Sequence, residues 1–240
     1  MRYKRIVEAR FISRPNRFVA LVNLDGKETA VHVKNTGRCK ELLTNGVVVY
    51  LEDSLNDNRK LRHSLVAVMK GDMLVNMDSQ APNVVAKEWL TSGEAKLTGL
   101  DTLDVVKGEQ TFGKSRFDFY IKDINGREGY LEVKGVTLEN DGVVSFPDAP
   151  TERGVKHINE LIEAKKQGYW AGILFVVQMK GMKVFTPNDI THKAFGDALR
   201  MASEEGVEII AKECYVTPDT LEIGNDIPIE LSCCDIKKDI

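Results

Sequence analysis

Apolar positions change their period partway along the chain, and the change divides it. Over the first eighty residues they fall in short β-branched or aromatic runs: RIVEARFI, RFVALVNL, ETAVHV, GVVVYLED and RHSLVAVMK. Pro15-Asn16, Asp25-Gly26, Asn35 to Gly37 and Asn56 to Asn58 separate the runs, and these are the residue types that turns demand. Five short strands are therefore expected. Between the third and fourth, RCKELLTNG reads as a short helix with Leu42 and Leu43 inward and Asn45-Gly46 as its stop. Three strands, a helix and two more strands is the order of an OB-type barrel, whose face binds oligonucleotides or oligosaccharides.

At Pro82 the period lengthens. APNVVAKEWLTSG carries Val84, Val85, Trp89 and Leu90 at helical spacing and closes on Gly93. Strand-like stretches follow at 102–112, 116–122 and 129–137. A helix over about 151–167 turns Val155, Ile158, Leu161 and Ile162 to one face and stops at Gly168. Strand AGILFVVQM, a shorter KVFTP, helix PNDITHKAFGDALRMASEEG and strand VEIIAKE complete the pattern. The expected fold class is α/β (α+β), with an OB-like β-barrel over residues 1–80 and an α/β domain over 81–240. No internal repeat, low-complexity tract or long linker interrupts it.

The stretch GYLEVKGVT, residues 129–137, sets two opposite charges two apart in a strand. Alternation puts Tyr130, Glu132 and Lys134 on one face and Leu131, Val133 and Gly135 on the other. Either that face is solvated or it is a polar site. The preceding SRFDFYIKDINGRE turns at Asn125-Gly126, so the two runs read as a hairpin. A turn centred on Asn125 sets Asp118 opposite Glu132, Arg116 opposite Lys134 and Tyr120 opposite Tyr130. Parity then groups Arg116, Asp118 and Tyr120 against Phe117, Phe119 and Ile121. Facing carboxylates repel and weaken a sheet, so the arrangement asks for a cation between them, either Lys/Arg or a metal. Mg²⁺ (or Mn²⁺) suits such a pair, because hard cations take one or two carboxylates plus water and phosphate oxygens. Lys134 would then act on the phosphate beside the metal.

Composition adds little until it is resolved along the chain. The net charge is −3, yet residues 1–40 hold ten Lys and Arg against three acids, and residues 201–240 hold three lysines against ten acids. The basic lobe is the footprint of a polyanion binder or a solvated face. The longest apolar runs are far too short to cross a bilayer, and the N-terminus lacks a secretory pattern. Four cysteines (Cys39, Cys214, Cys233, Cys234) form no C-x-x-C pair, so free thiols in the cytoplasm are expected rather than zinc or a disulfide framework.

Helix, strand, Asp-bearing strand, Glu-x-Lys strand, helix and strand together resemble the PD-(D/E)xK nuclease family. On that pattern Asp118, Glu132 and Lys134 match the catalytic signature, and Glu88 on the preceding helix is a further candidate metal ligand beside Asp118 and Glu132. Phe117 stands where that family's signature has proline. RPNRFVALV, VHVKNTGRCKELL, GKSRFDFYI, YLEVKGVTL, FPDAPTERGVKHINEL and ILFVVQ, in this order, resemble the sugar fermentation stimulation protein A family over nearly the whole chain. The resemblance implies an OB-like N-terminal domain, a nuclease-like C-terminal one, non-specific DNA binding and a regulatory role in sugar (maltose) metabolism.

Candidate DNA contacts follow. Arg14 and Arg17 flank the Pro15-Asn16 turn, with Phe18 beside them for base stacking or for the core. Arg38 and Lys40 flank a glycine turn and an expected helix N-terminus suited to phosphate. Arg116 lies on the Asp118 strand. Arg153, Lys156 and His157 sit on the helix after the Glu-x-Lys strand, with Asp148 or Thr151 as its cap. Three classes remain: a DNA-binding protein without strong sequence preference, a Mg²⁺-dependent nuclease, and an oligosaccharide-binding module. The last has no need of Lys134 or of the basic lobe.

Overall fold

The structure, a computed structural model, describes residues 1–35, 37–56 and 58–232. Alternating apolar residues in the first half form β1 (Ile6–Asn16), β2 (Val19–Leu24), β3 (Lys27–Val33), β4 (Val48–Asp53), β5 (His63–Lys70) and β6 (Met73–Asn76). They pair in the order β3-β2-β1-β4-β5-β6. A parallel contact of β3 with β5, His32 beside Ser64 and Val33 beside Leu65, closes the barrel. Ala20, Val22, Val31, Val33, Val49, Leu51 and Leu65 fill its interior, each almost fully buried. This is the expected OB-like barrel, with β6 as a strand that the sequence reading missed.

The expected helix over RCKELLTNG is replaced by turns. Cys39 takes φ +45°, outside the right-handed region a helix needs, and its carbonyl accepts from both Leu42 N–H and Leu43 N–H. Leu42 and Leu43 are buried all the same, so the apolar anchoring is met without a helix. With no helix, the expected N-terminal phosphate site at Arg38 and Lys40 does not form.

The second half contains α1 (Ala81–Thr91), β7 (Leu103–Phe112), β8 (Ser115–Asp123), β9 (Glu128–Val136), β10 (Glu139–Asn140), β11 (Val143–Phe146), α2 (Glu152–Lys166), β12 (Trp170–Val177), β13 (Val184–Pro187), α3 (Asp189–Glu204), β14 (Glu208–Val216) and β15 (Leu221–Asp226). Its main sheet runs β15-β14-β12-β9-β8-β7, with β9, β12 and β14 parallel. Every residue of β12 is buried, as a central parallel strand covered on both faces requires. Leu131 and Val133 of β9 pack with Ala81, Val85 and Leu90 of α1. The opposite face packs under α2 and α3 through Ile158, Leu161, Phe175 and Phe195. This is the expected α/β arrangement. Strands β10, β11 and β15 escaped the sequence reading.

Barrel and α/β sheet meet through polar contacts. Gln178, just past β12, donates through Nε2 to Asn76 Oδ1 at 2.8 Å and to the Asp78 carbonyl at 3.0 Å. On the barrel side Asp78 is held by Lys34, which also pairs with Glu52, at 3.0 and 3.1 Å. One buried apolar cluster runs through both halves. Among the described residues no helix is long and apolar enough to cross a membrane. Cys39 and Cys214 are buried free thiols, and Cys233 and Cys234 lie outside the described residues.

Candidate functional site

The site begins where the β8–β9 hairpin comes apart. Tyr120 pairs with Tyr130 as the turn predicts, and Phe119 with Leu131 is the last paired position. Beyond it Asp118 Oδ2 accepts the Val133 N–H at 2.8 Å, a side-chain bond in place of a ladder bond. The alternation of β8 breaks there. Phe119 and Ile121 pack on the α1 face, whereas Phe117 lies against Tyr130 and His157 with ring centroids 5.5 and 6.2 Å apart. The shared face expected for Phe117, Phe119 and Ile121 is thereby corrected. Arg116 does not face Lys134; it pairs with Glu109 on β7 at 2.9 Å.

On β9 the alternation holds, and Glu132 points under α2. Its side chain is 3% exposed. Oε1 receives Lys134 Nζ at 2.5 Å and His157 Nδ1 at 2.6 Å. Arg153 Nε donates to His157 Nε2 at 3.3 Å, which leaves the ring proton on Nδ1, directed at Glu132. Glu132 Oε2 is buried and has no partner. A buried carboxylate oxygen without a partner is costly, and a cation or a donor at Oε2 would offset that cost. Asp118 is fixed by Asn83, whose Nδ2 donates to Oδ1 at 2.7 Å.

The two acids differ in their electrostatics. Burial and then the Glu132 charge push the Asp118 carboxyl up, against the Val133 and Asn83 hydrogen bonds and the Lys134 charge. Burial also works to raise Glu132, but the His157 hydrogen bond and the Lys134 ammonium outweigh it and hold that carboxyl below its ordinary range. Ionising both acids leaves excess negative charge that Lys134 alone does not neutralise. A divalent cation held by Asp118 and Glu132 Oε2 fits that donor set, because such ions accept few carboxylates and complete their shell with water and phosphate oxygens. Among the described residues no group of three or more His, Cys, Asp or Glu is placed to hold a metal. Glu88 does not join the pair, since its carboxylate takes the Met1 ammonium at 2.6 Å. From α1 it is Asn83 that reaches the site.

The predicted phosphate contacts divide by what they already touch. Arg14 is committed to the fold: its guanidinium donates to the carbonyls of Gly37, Arg38, Arg17 and Asn35 at 2.5–2.8 Å. It ties the 14–17 turn to the 35–38 loop. Arg17 is exposed and lies 4.7 Å over the ring of Phe18, which is itself 46% exposed rather than in the core. Arg38 and Lys40 are exposed and line, with Arg17, a cleft of about 590 Å³. Lys156 is exposed, donating to the Lys114 carbonyl at 2.8 Å. His157 is buried against Glu132, so it orients that acid rather than meeting phosphate. Arg153 is exposed in the first turn of α2, which Thr151 caps by accepting the Gly154 N–H at 3.0 Å. The place of His157 was readable, because it shares the helical face of Ile158 and Leu161. Nothing in the sequence singled out Asn83.

Comparison with known proteins agrees with this architecture. The family model described as SfsA N-terminal OB domain matches residues 12–77, and the one described as Sugar fermentation stimulation protein RE domain matches residues 80–220. A sugar fermentation stimulation protein homolog of Desulfitobacterium hafniense is 52% identical over 231 residues, covering 96% of this chain and 99% of that protein. A homolog of the same description from Clostridium botulinum is 53% identical over 228 residues, covering 95% and 98%. The structure of Pyrococcus furiosus SfsA in complex with Ca²⁺ superposes with a TM-score of 0.80 at 26% identity, covering 96% of this chain and 98% of that one. The chain belongs to the sugar fermentation stimulation protein family.

Proposed function

We propose that the chain binds DNA, largely without sequence preference, and that Asp118, Glu132 and Lys134 form a cation-dependent site for phosphodiester hydrolysis. The observation that carries the reading is the unpartnered Glu132 Oε2, buried beside an aspartate whose ionisation burial and the Glu132 charge oppose. The archaeal relative described in complex with Ca²⁺ supports a hard cation in this family. Residues 1–80 would supply the nucleic-acid-binding barrel, and 81–240 the cation site. Mg²⁺ or Mn²⁺ held by Asp118 and Glu132 would supply Lewis acidity toward a phosphate oxygen. Lys134, beside the pair, stabilises negative charge on the phosphate or orients a water. His157 and Asn83 hold the two acids in place.

A second reading is a DNA-binding protein that keeps this scaffold without turnover. It draws on the Lys134–Glu132 pair, which already neutralises one acid within the fold. A regulatory role in sugar (maltose) metabolism would act through the same DNA binding. Incubating purified protein with plasmid and single-stranded DNA, in Mg²⁺ or Mn²⁺ and in EDTA, separates the readings. Cation-dependent cleavage supports hydrolysis, and binding without cleavage supports the second reading. If about five basic residues meet phosphates, log K falls with log salt at a slope of roughly −4 to −5. Absence of binding at low salt would refute both.

A further inference from the structure

Three neighbouring clefts that share lining residues mark out a track between the exposed tip of the barrel and the end of β9. The outer one, about 590 Å³, is lined by Arg17, Arg38 and Lys40. It shares Gly37 with an inner cleft of about 360 Å³ between barrel and α/β domain. A third, about 280 Å³, adjoins both through Arg38 and through Asp148, Ala149 and Pro150. The inner cleft is lined by Gly135 and Val136, which directly follow Lys134, and by Thr151, which opens the helix carrying Arg153 and His157. The inner cleft therefore reaches the C-terminal end of β9, at the residue after Lys134. Gly37 is where its walls come together: a Cβ there would lie 2.7 Å from Asp148 Oδ2 and 2.9 Å from Asn35 Oδ1.

Building on the DNA-binding reading, we infer that this track takes a single DNA strand, so that the substrate is single-stranded DNA or a frayed end rather than an intact duplex. Size is the first argument. Each cleft is near the range of pockets that enclose small molecules, roughly 300–1,000 Å³, which suits unstacked nucleotides. A duplex is read from outside, by elements that enter its grooves. Lining chemistry is the second. Cations stand at the outer cleft, where backbone phosphates would lie, and the inner cleft offers the amide and hydroxyls of Asn35, Thr137 and Ser145, which suit base edges. Asp148 and Glu41 line the stretch between, so phosphates there are directed toward Arg38 and Lys40. Beside Arg17, at the entrance, Phe18 keeps its exposed ring under the guanidinium. That arrangement is suited to stacking an unpaired base and is of no use to a paired one.

Anisotropy of a short labelled oligonucleotide, single-stranded or annealed to its complement, in EDTA, tests this. The single strand should bind about tenfold tighter than the duplex. Phe18→Ala, an exposed position, should weaken the single strand by about tenfold, the scale of one lost base–aromatic stack, and leave the duplex within twofold. Ala149→Trp, which fills the track at an exposed position, should block the single strand alone. Melting temperatures establish that the variants are folded; if Ala149→Trp is not, Phe18→Ala decides. Equal affinity for both forms, or equal loss on both, overturns the single-strand track and leaves DNA binding standing. Failure to bind either form removes the DNA-binding reading and the track with it.

Discussion

Asp118→Asn should stabilise the cation-free protein and abolish its response to divalent ions. In the wild type the Asp118 carboxyl is disfavoured as an anion by burial and by Glu132. Neutralising it removes that repulsion, worth about 0.2–1 kcal/mol for like charges across a sheet. The geometry can be kept. With Oδ of the new amide accepting the Val133 N–H, its NH₂ meets Asn83, which turns its own amide to accept. Both hydrogen bonds of the native aspartate survive. For a chain of this size 1 kcal/mol corresponds to about 2–4 °C in Tm, so a rise of up to about 4 °C in EDTA is expected. The sign follows from linkage. Asp118 is raised in the folded state, so its contribution is fully present below the unfolded value and lost as pH rises through the folded value. The gap between variant and wild type should therefore widen as pH rises above the ordinary carboxyl range and level off once Asp118 is ionised in the folded protein. Saturating cation acts in the opposite sense: at a hundred times Kd the wild type gains about 2.7 kcal/mol and the variant nothing. Thermal denaturation in EDTA and along a Mg²⁺ or Mn²⁺ titration reads both effects. A variant that melts lower in EDTA, with a wild type indifferent to cations, would refute the reasoning and make Asp118 a structural partner of Asn83 and Val133.

Other consequences follow from the same contacts. Arg14→Ala removes donors to four loop carbonyls and should cost about 2–3 kcal/mol in urea denaturation, whereas Arg17→Ala should leave stability unchanged and weaken DNA binding for all sequences alike. Lys134→Ala and Lys134→Arg should lower cleavage by about a hundredfold or more with DNA affinity within a few-fold, because a guanidinium does not replace a compact ammonium; gel assays of cleavage and binding on the same preparations measure it.

Much of this site could be read along β9, because a strand buried on both faces allows one register. The alternation of Tyr130, Glu132 and Lys134 against Leu131 and Val133 and the pairing of Tyr120 with Tyr130 both follow from period two and one turn. What escaped depends on tertiary contacts. Asp118 leaves the ladder because its carboxylate competes for the Val133 N–H, and no period encodes that competition. Leu42 and Leu43 suited a helix, but Cys39 in the left-handed region turns the chain while still burying both leucines. Glu88 lay on the expected helix yet meets the Met1 ammonium, a partner 87 positions away. The tail strand β15 lacks a clean alternation and forms by pairing with β14. Arg14 looked like a phosphate contact because loop carbonyls leave no mark in a sequence.

The proposed function rests on a divalent cation shared by Asp118 and Glu132. Anomalous diffraction from crystals soaked in Mn²⁺ tests it most directly. A peak bonded to an Asp118 oxygen and to Glu132 Oε2, at about 2.0–2.2 Å as expected for a small hard cation, and lost in Glu132→Gln, is the predicted result. A Mn²⁺ peak elsewhere, or Glu132 Oε2 still without a partner at saturating Mn²⁺, would contradict it.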